Sequence, residues 1–328
     1  MYGLYGLRIQ SSVPIYGLSR VAEFGPADLR VMVGERPAWT LDLDLARERV
    51  LYSTECADED SEPNLRVWAI HDYQMFLLRY AGGIEFLIDA TGTSVWTWWP
   101  SSQSFSTACM YLVGPVLGFV LQLRGYTSLH ASCAAAEGGV IGFVGDCGAG
   151  KSTIAAALAE RGYQVLSDDV LALRSHNGGF LVQPGPSRIR LWPSSVKMLF
   201  GSDDALPRLS TAFDKRYLEI SREATQSDPA QIRLKTLYLL RQRSDSDSAP
   251  FLGEIKPADA LIGLVGNTYT SYLQDASRRA RDFAFLGQVT ASVRLRTLTP
   301  HTDPARLEDL CNLVLEDCRK AKRTPAIA

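Results

Sequence analysis

One segment constrains the fold of this chain more than any other: Gly145-Asp146-Cys147-Gly148-Ala149-Gly150-Lys151-Ser152. It fits the pattern G-x-x-x-x-G-K-[ST], in which glycines let backbone N–H groups curl around phosphate oxygens. The apolar residues 140–144 predict a buried strand before it, and residues 153–161 predict a helix after it. This order places a helix N-terminus beneath bound phosphates. The alternative is a glycine-rich turn between two core elements.

The loop predicts a nucleotide site formed by the nine residues from Gly145 to Thr153. Lys151 supplies a mobile positive charge for the β- and γ-phosphates, and Ser152 offers its hydroxyl to Mg²⁺. The predicted cofactors are therefore ATP and Mg²⁺. The loop by itself does not specify the reaction that comes after binding.

The composition excludes several classes of protein. The chain has 328 residues, 46% of them hydrophobic, which is enough for two domains. Its formal net charge of −2 gives no basic excess for a nucleic-acid partner. We find no run of eighteen apolar residues and no signal-peptide pattern, so we predict no membrane segment. The six cysteines form no C-x-x-C pair, which favours reduced thiols and a cytoplasmic location.

The pattern along the chain predicts an α/β (α+β) protein with three regions. Residues 1–103 alternate like strands and form a β-rich N-terminal domain, in which the aromatic run 95–99 suits core packing or a stacking platform. Residues 104–300 form the catalytic domain, beginning with a helix over 104–123 and including a helical stretch over 257–287. Residues 301–328 form a C-terminal helix with one apolar face, followed by a tail.

Two adjacent carboxylates, Asp168 and Asp169, interrupt an apolar strand one helix after the loop. Phosphoryl transfer needs a carboxylate near Mg²⁺ and a group that orients the attacking oxygen. Neighbouring side chains of a strand point to opposite faces, so the two can act together only where the strand ends. The alternative is that Asp168 caps a turn and Asp169 lies in solvent.

Other candidate residues are cationic or titratable. His130 lies on the strand before the loop strand, where it can orient an aspartate, contact the γ-phosphate, or serve only the structure. Arg188 and Arg190 are candidate catalytic residues because they can neutralise transition-state charge. Lys215 and Arg216 share this possibility, and the alternative for all four is a surface salt bridge.

The set formed by His130, the G-D-x-G-x-G-K-S loop and Ser167-Asp168-Asp169 resembles the HPr kinase/phosphorylase family. The resemblance covers about 45 residues. It implies a mixed-sheet catalytic domain like the core of phosphoenolpyruvate carboxykinase. It also implies that Asp168 takes the proton of a substrate serine, that Asp169 joins Ser152 on Mg²⁺, and that His130 supports Asp168.

Within this family, the layout looks most like the kinases of lasso-peptide biosynthesis. Leu129-His130-Ala131-Ser132 and the segment over 186–193, which contains Arg188 and Arg190, resemble motifs of those proteins. The resemblance implies an ATP-dependent serine kinase acting on the C-terminal serine of a precursor peptide. The alternatives are a serine kinase or phosphorylase for an HPr-type carrier protein, and a nucleotide-binding regulatory protein without catalysis.

Overall fold

The computed structural model describes residues 1–18, 20–22, 25–55, 62–210, 213–220 and 232–323. The chain divides into two units. The first consists of Met1–Tyr126 together with Thr270–Asp275, and the second consists of Thr127–Tyr269 together with Ala276–Ala328. The chain therefore leaves the second unit and returns to it within six residues.

The first unit is built on one eight-stranded sheet. Its strands are β1 (Tyr2–Leu4), β2 (Leu7–Ser11), β3 (Leu29–Val33), β4 (Arg49–Ser53), β5 (Leu65–Ile70), β6 (Met75–Tyr80), β7 (Ile84–Asp89) and β8 (Ser94–Trp98). Their order is β1-β2-β3-β8-β7-β6-β5-β4, with β3 parallel to both β2 and β8 and the other pairs antiparallel. The predicted β-rich character of the N-terminal region is confirmed. In the aromatic run 95–99, Trp96 and Trp98 pack against a core cluster that contains Trp68, and Trp99 stacks on Phe105, which supports core packing.

The helical stretch after this sheet is broken, although the sequence predicted one helix. Helix α1 (Phe105–Tyr111) and helix α2 (Leu117–Leu123) flank a wider π-type turn. Gly114 there leaves helical dihedral angles, and Pro115 has no N–H for the helix ladder. By length and mean hydropathy (1.6) the stretch Phe105–Leu123 meets the criterion for a membrane span, and 72% of it is buried inside the protein. Buried core helices meet the same criterion.

The described residues of the second unit contain eleven strands: β9 (Thr127–Ala136), β10 (Gly139–Val144), β11 (Val165–Ser167), β12 (Val170–His176), β13 (Gly179–Gln183), β14 (Arg188–Leu191), β15 (Arg208–Ser210), β16 (Phe213–Glu219), β17 (Leu234–Leu240), β18 (Phe251–Gly253) and β19 (Arg294–Thr299). The main sheet has the order β13-β12-β9-β10-β17-β19-β18, with β11 also paired to β9. The pairs β10–β17 and β17–β19 are parallel and the others are antiparallel. The fold is thus mixed α/β. A separate small sheet has the order β14-β16-β15.

Helices cover both faces of the main sheet: α3 (Lys151–Glu160), α4 (Pro193–Phe200), α5 (Pro257–Gly266), α6 (Ala276–Ser292) and α7 (Leu307–Arg323). Strand β10 shows the two faces most clearly, because its side chains alternate between them. Ile141 and Phe143 pack in the cluster that contains α3 and α7. Val140 and Val144 pack in the cluster that contains α5 and α6. Burial on both faces explains why this strand is apolar throughout.

Three predicted boundaries differ from the structure. The sequence placed a domain limit at residues 103/104, whereas α1 and α2 belong to the first unit, where Phe119 meets Phe76 edge to face. It placed another limit at 300/301, whereas α7 packs its apolar face into the second unit. The helical stretch predicted over 257–287 is two helices. The first helix ends at Gly266, and Asn267 is its C-cap; glycine and asparagine are common at helix ends.

Gly142 in β10 is closely surrounded, so a side chain there is expected to displace its neighbours. A Cβ built there would lie 2.7 Å from Leu237 Cδ2 and 3.2 Å from Leu171 Cδ2. We expect Gly142→Ala to lower the free energy of unfolding by about 1–3 kcal/mol through overpacking. Urea unfolding measures the effect. Gly266→Ala is the control, because nothing lies within 4 Å of its Cβ and alanine is the better helix former. Equal stability of Gly142→Ala and the wild type would contradict this close packing around β10.

Candidate active site

The predicted phosphate loop lies between β10 and α3, so the strand, loop and helix order is confirmed. Gly148 and Gly150 have backbone φ values of 81° and 107°, which residues other than glycine rarely adopt. Gly150 is the N-cap of α3. The helix therefore directs its first backbone N–H groups toward the loop, as a phosphate site requires.

Lys151 lies across the loop and is buried. Its Nζ donates hydrogen bonds to the carbonyl oxygens of Gly145, at 2.6 Å, and Asp146, at 2.8 Å. Burial lowers the pKa of Lys151, and the charges of Cys147, Asp169, Asp168 and Asp146 oppose that shift. An ammonium group has three donors, so these two bonds hold the side chain while one N–H remains for a further acceptor.

The strand break predicted at the two aspartates is confirmed. Strand β11 ends at Ser167 and β12 begins at Val170. Asp169 has φ 73°, in the left-handed region. This turn of the backbone brings both carboxylates to the same cleft, which a regular strand would not do.

Asp168 is buried and held at both carboxylate oxygens. Ser132 Oγ donates to Oδ1 at 2.7 Å, and the backbone N–H of Arg190 donates to Oδ2 at 2.9 Å. Its side chain is therefore fixed in the floor of the cleft. The alternative prediction, that Asp168 caps a turn while Asp169 lies in solvent, is therefore wrong.

The contacts of His130 correct one expectation. The resemblance implied that His130 supports Asp168, whereas its Nδ1 lies 3.2 Å from Oδ1 and 3.2 Å from the backbone oxygen of Asp169. Both oxygens can only accept, so Nδ1 carries the hydrogen. The reason is the pairing register: Val170 on β12 pairs with His130 on β9, and Ala131 N donates to Asp169 O. Asp169 is therefore the aspartate beside His130, whereas Asp168 lies beside Ser132.

Asp169 has a more polar surrounding than Asp168. Besides His130, Tyr269 donates its hydroxyl hydrogen to Oδ2 at 3.1 Å, and Arg190 Nη1 lies 3.9 Å from the same oxygen. Burial by itself raises the pKa of Asp169, but the His130 hydrogen bond and the charges of Arg190, His130 and Lys215 together hold it well below its usual range. Asp169 is therefore expected to be ionised at neutral pH.

A cleft with about 730 Å³ of empty space, including its open mouth, joins these groups in the second unit. The predicted residues that line it are His130, Cys147, Gly148, Gly150, Lys151, Ser152, Thr153, Asp168, Asp169, Arg190 and Lys215. Gly145 and Asp146 take part through the carbonyl groups that hold Lys151. Ala149 lines a neighbouring recess instead.

Two of the four predicted cations lie elsewhere. Arg188 does not line the cleft; it pairs with Glu219 at 2.9 Å and lies over the ring of Tyr217. Arg216 is buried and bonded to Asp214. Arg188 and Arg190 share a face of β14, but they are two residues, or about 7 Å, apart. Only Arg190 is at the end that reaches the cleft.

Sequence reasoning missed several residues of the cleft. Trp192 lies at its edge, about half exposed, with the Lys215 ammonium 4.9 Å from its ring centre. Ser194 and Ser195 lie in the first turn of α4, and Ser195 Oγ lies 2.9 Å from Thr153 Oγ1. Arg243 follows β17. Trp192 and Ser132 lie within the motif-like segments 186–193 and 129–132, but neither had been assigned to the site, and Ser194, Ser195 and Arg243 lie outside both segments.

The donor groups in the cleft fit Mg²⁺ bound together with phosphates. The Ser152 hydroxyl and the Asp169 carboxylate are oxygen donors, which Mg²⁺ prefers. Among the residues that the structure describes, no group of three or more His, Cys, Asp or Glu side chains could hold a metal ion. A Mg²⁺ ion here would therefore take its remaining ligands from phosphate oxygens and water, as is usual for this ion.

Comparisons with known proteins leave the family open. No family model and no curated protein matches the chain. One solved structure that matches is the Hpr(Ser) kinase/phosphatase from Coxiella burnetii, with 16% sequence identity and a TM-score of 0.30. The match covers 60% of this chain and 92% of that one.

The low pKa of Asp169 predicts an acid-dependent stability. As pH falls below the ordinary value of 3.8, the unfolded chain binds a proton that folded Asp169 does not, so unfolding becomes more favourable. We expect Asp169→Asn to remove the contribution of this carboxylate to the pH dependence of the free energy of unfolding, which is at most about 1.4 kcal/mol per pH unit. Asparagine also tolerates the left-handed backbone.

Urea unfolding between about pH 3 and 5, across the ordinary carboxyl pKa, measures this difference in slope. Asp259→Asn, on the exposed first turn of α5, is the matched control for loss of one negative charge. Parallel pH profiles for Asp169→Asn and the wild type would show that the contacts around Asp169 do not hold its charge.

Proposed function

We propose that this protein is an ATP- and Mg²⁺-dependent kinase that phosphorylates a serine hydroxyl of a peptide. The observation that carries the proposal is the strand break at Asp168 and Asp169, which turns two carboxylates toward the cleft that the phosphate loop lines. A site that only binds a nucleotide needs the loop but has no use for both carboxylates. Phosphoryl transfer uses both.

The proposed reaction forms one bond and breaks one. The serine Oγ attacks the γ-phosphorus of ATP, the bond to the β,γ-bridging oxygen breaks, and ADP leaves. The serine proton passes to Asp168, whose carboxylate keeps free lone pairs beyond the two bonds from Ser132 and Arg190. Such a fixed acceptor orients the hydroxyl for in-line attack.

The other residues of the cleft hold and neutralise phosphate charge. Lys151 and the amides at the start of α3 bind the β- and γ-phosphates, and Arg190 and Lys215 add positive charge beside them. Ser152 and Asp169 would hold Mg²⁺, which would supply neutralisation of phosphate charge. His130 and Tyr269 keep Asp169 in place.

For the acceptor we propose the C-terminal serine of a lasso-peptide precursor. Support comes from the sequence resemblance around Leu129-His130-Ala131-Ser132 and residues 186–193. Arg190 and Lys215 also suit a second anion, such as a peptide carboxylate. The proposed setting is the cytoplasm, without a nucleic-acid or membrane partner. The free thiol of Cys147 and the net charge of −2 agree with this.

Transfer of radiolabelled phosphate from ATP tests the proposal. The purified protein is incubated with Mg²⁺ and a precursor peptide ending in serine, and the controls are the same peptide ending in alanine and the serine peptide with an amidated C-terminus. We expect label only on serine peptides, and less on the amide. Label on a folded HPr-type carrier but on no peptide would indicate a carrier-protein kinase. Tight ATP binding without any labelled product would indicate a regulatory nucleotide-binding protein.

A further inference from the structure

A second recess lies on the other side of the phosphate loop in the second unit. It holds about 390 Å³ of empty space, including its open mouth. Its apolar lining comes from the loop and α3, from helix α4, and from residues 300–310, and this last segment also contributes the polar side chains of His301, Asp303 and Arg306. The main contributors are Ala149, Ile154, Met198, Pro300, Leu307 and Leu310.

This recess adjoins the cleft that contains the aspartates. Gly150, Thr153 and Arg243 line both. Gly150 is the N-cap of α3, the position where phosphates meet the helix. The recess is therefore next to the place where the loop would hold phosphates.

Arg243 stands at the junction of the two spaces. A Cβ built on Gly150 would lie 3.7 Å from Arg243 Nη2, which shows how close the guanidinium comes to the loop. The backbone around it is fixed to the end of β19, since Ser244 N donates to Pro300 O and Thr302 N donates to Ser244 O, each at 2.9 Å. Among the described residues, no carboxylate forms an ion pair with Arg243, so its charge is available to an anion.

We propose that the recess binds the base and ribose of the nucleotide and that Arg243 contacts its phosphates at the junction. This inference rests on the proposed function, because it assumes a nucleotide on the loop. A purine ring has flat apolar faces, and the recess offers apolar walls on several sides. The cleft that contains the aspartates is lined by both carboxylates and cations, which suit the transferring phosphate and the acceptor. The two spaces thus divide the ligand by its chemistry.

Binding of ATP and of inorganic tripolyphosphate by the full-length protein separates the recess from the loop. In the wild type we expect ATP to bind at least about tenfold more tightly, since tripolyphosphate lacks the base. Met198→Trp fills the recess and is expected to weaken ATP binding about tenfold while leaving tripolyphosphate binding within about twofold. Met198→Leu keeps the volume and is the matched control. Arg243→Gln is expected to weaken both ligands.

Photolabelling uses only the wild-type protein, so it does not depend on whether a variant folds. An azido-adenine analogue of ATP is expected to label residues in α4 or between Pro300 and Leu310, as mapped by mass spectrometry. Label confined to other segments, or equal ATP affinity in Met198→Trp and Met198→Leu, would overturn the recess proposal while leaving the kinase intact. Failure of the wild type to bind either ligand would instead overturn the proposed function.

Discussion

Replacement of Asp168 by asparagine is expected to lower kcat for peptide phosphorylation by about 10²–10⁴-fold, the usual contribution of a general base. Asparagine has nearly the same shape, and its side-chain oxygen can still accept a hydrogen bond from Ser132 or Arg190. It cannot accept the serine proton. The Kd for ATP should therefore change little, because Asp168 is not assigned to the nucleotide.

Steady-state kinetics with ATP and a serine peptide measure this effect, and equilibrium titration measures the ATP affinity. Asp317→Asn is the matched control: Asp317 is also buried in the second unit, where it accepts from Tyr238 and Arg294, but it lies outside the cleft. We expect it to lower stability and leave kcat unchanged. A kcat for Asp168→Asn within about tenfold of the wild type would reject Asp168 as the base.

Replacement of Lys151 by methionine is expected to lower kcat by about 10²–10³-fold, as for other charge-stabilising donors removed from an active site. Methionine has a similar length but no charge and no donor. Unlike Asp168→Asn, this variant should also bind ATP more weakly, because Lys151 would contact phosphates in the bound state as well as in the transition state.

Calorimetric titration with ATP and single-turnover kinetics separate these two effects. Lys197→Met, on the exposed side of α4, removes one positive charge from the same unit outside the cleft and should leave both quantities unchanged. Thermal melting without nucleotide checks that each variant folds. Wild-type ATP affinity in Lys151→Met would show that the loop does not bind phosphates in the proposed way.

The strand break could be predicted because its cause is local. When two neighbouring carboxylates occur in an apolar strand, either one charge is buried or the strand is interrupted, because neighbouring side chains point to opposite faces. Both outcomes depend only on the local sequence. The structure resolves the conflict with a left-handed Asp169. The phosphate loop was predictable for the same reason, since its glycines and lysine are adjacent in sequence.

Residues brought in from distant segments could not be predicted. Tyr269 and Arg243 reach the site from loops that follow α5 and β17, and neither has a neighbour in sequence that shares its role. The hydrogen-bond partner of His130 could not be predicted from the sequence either. Strand alternation places His130 and Ser132 on one face, but the register between β9 and β12 decides which aspartate each meets, and pairing register is a tertiary property.

The segment Thr270–Asp275 has a consequence for how this chain can be made and divided. It packs in the first unit, where Tyr272 meets Tyr52 at 4.4 Å between ring centres, yet the residues on both sides of it belong to the second. On the ribosome, the first unit cannot complete its contacts until synthesis has passed residue 275, although its other residues end at Tyr126. No single cut of the chain releases either unit whole.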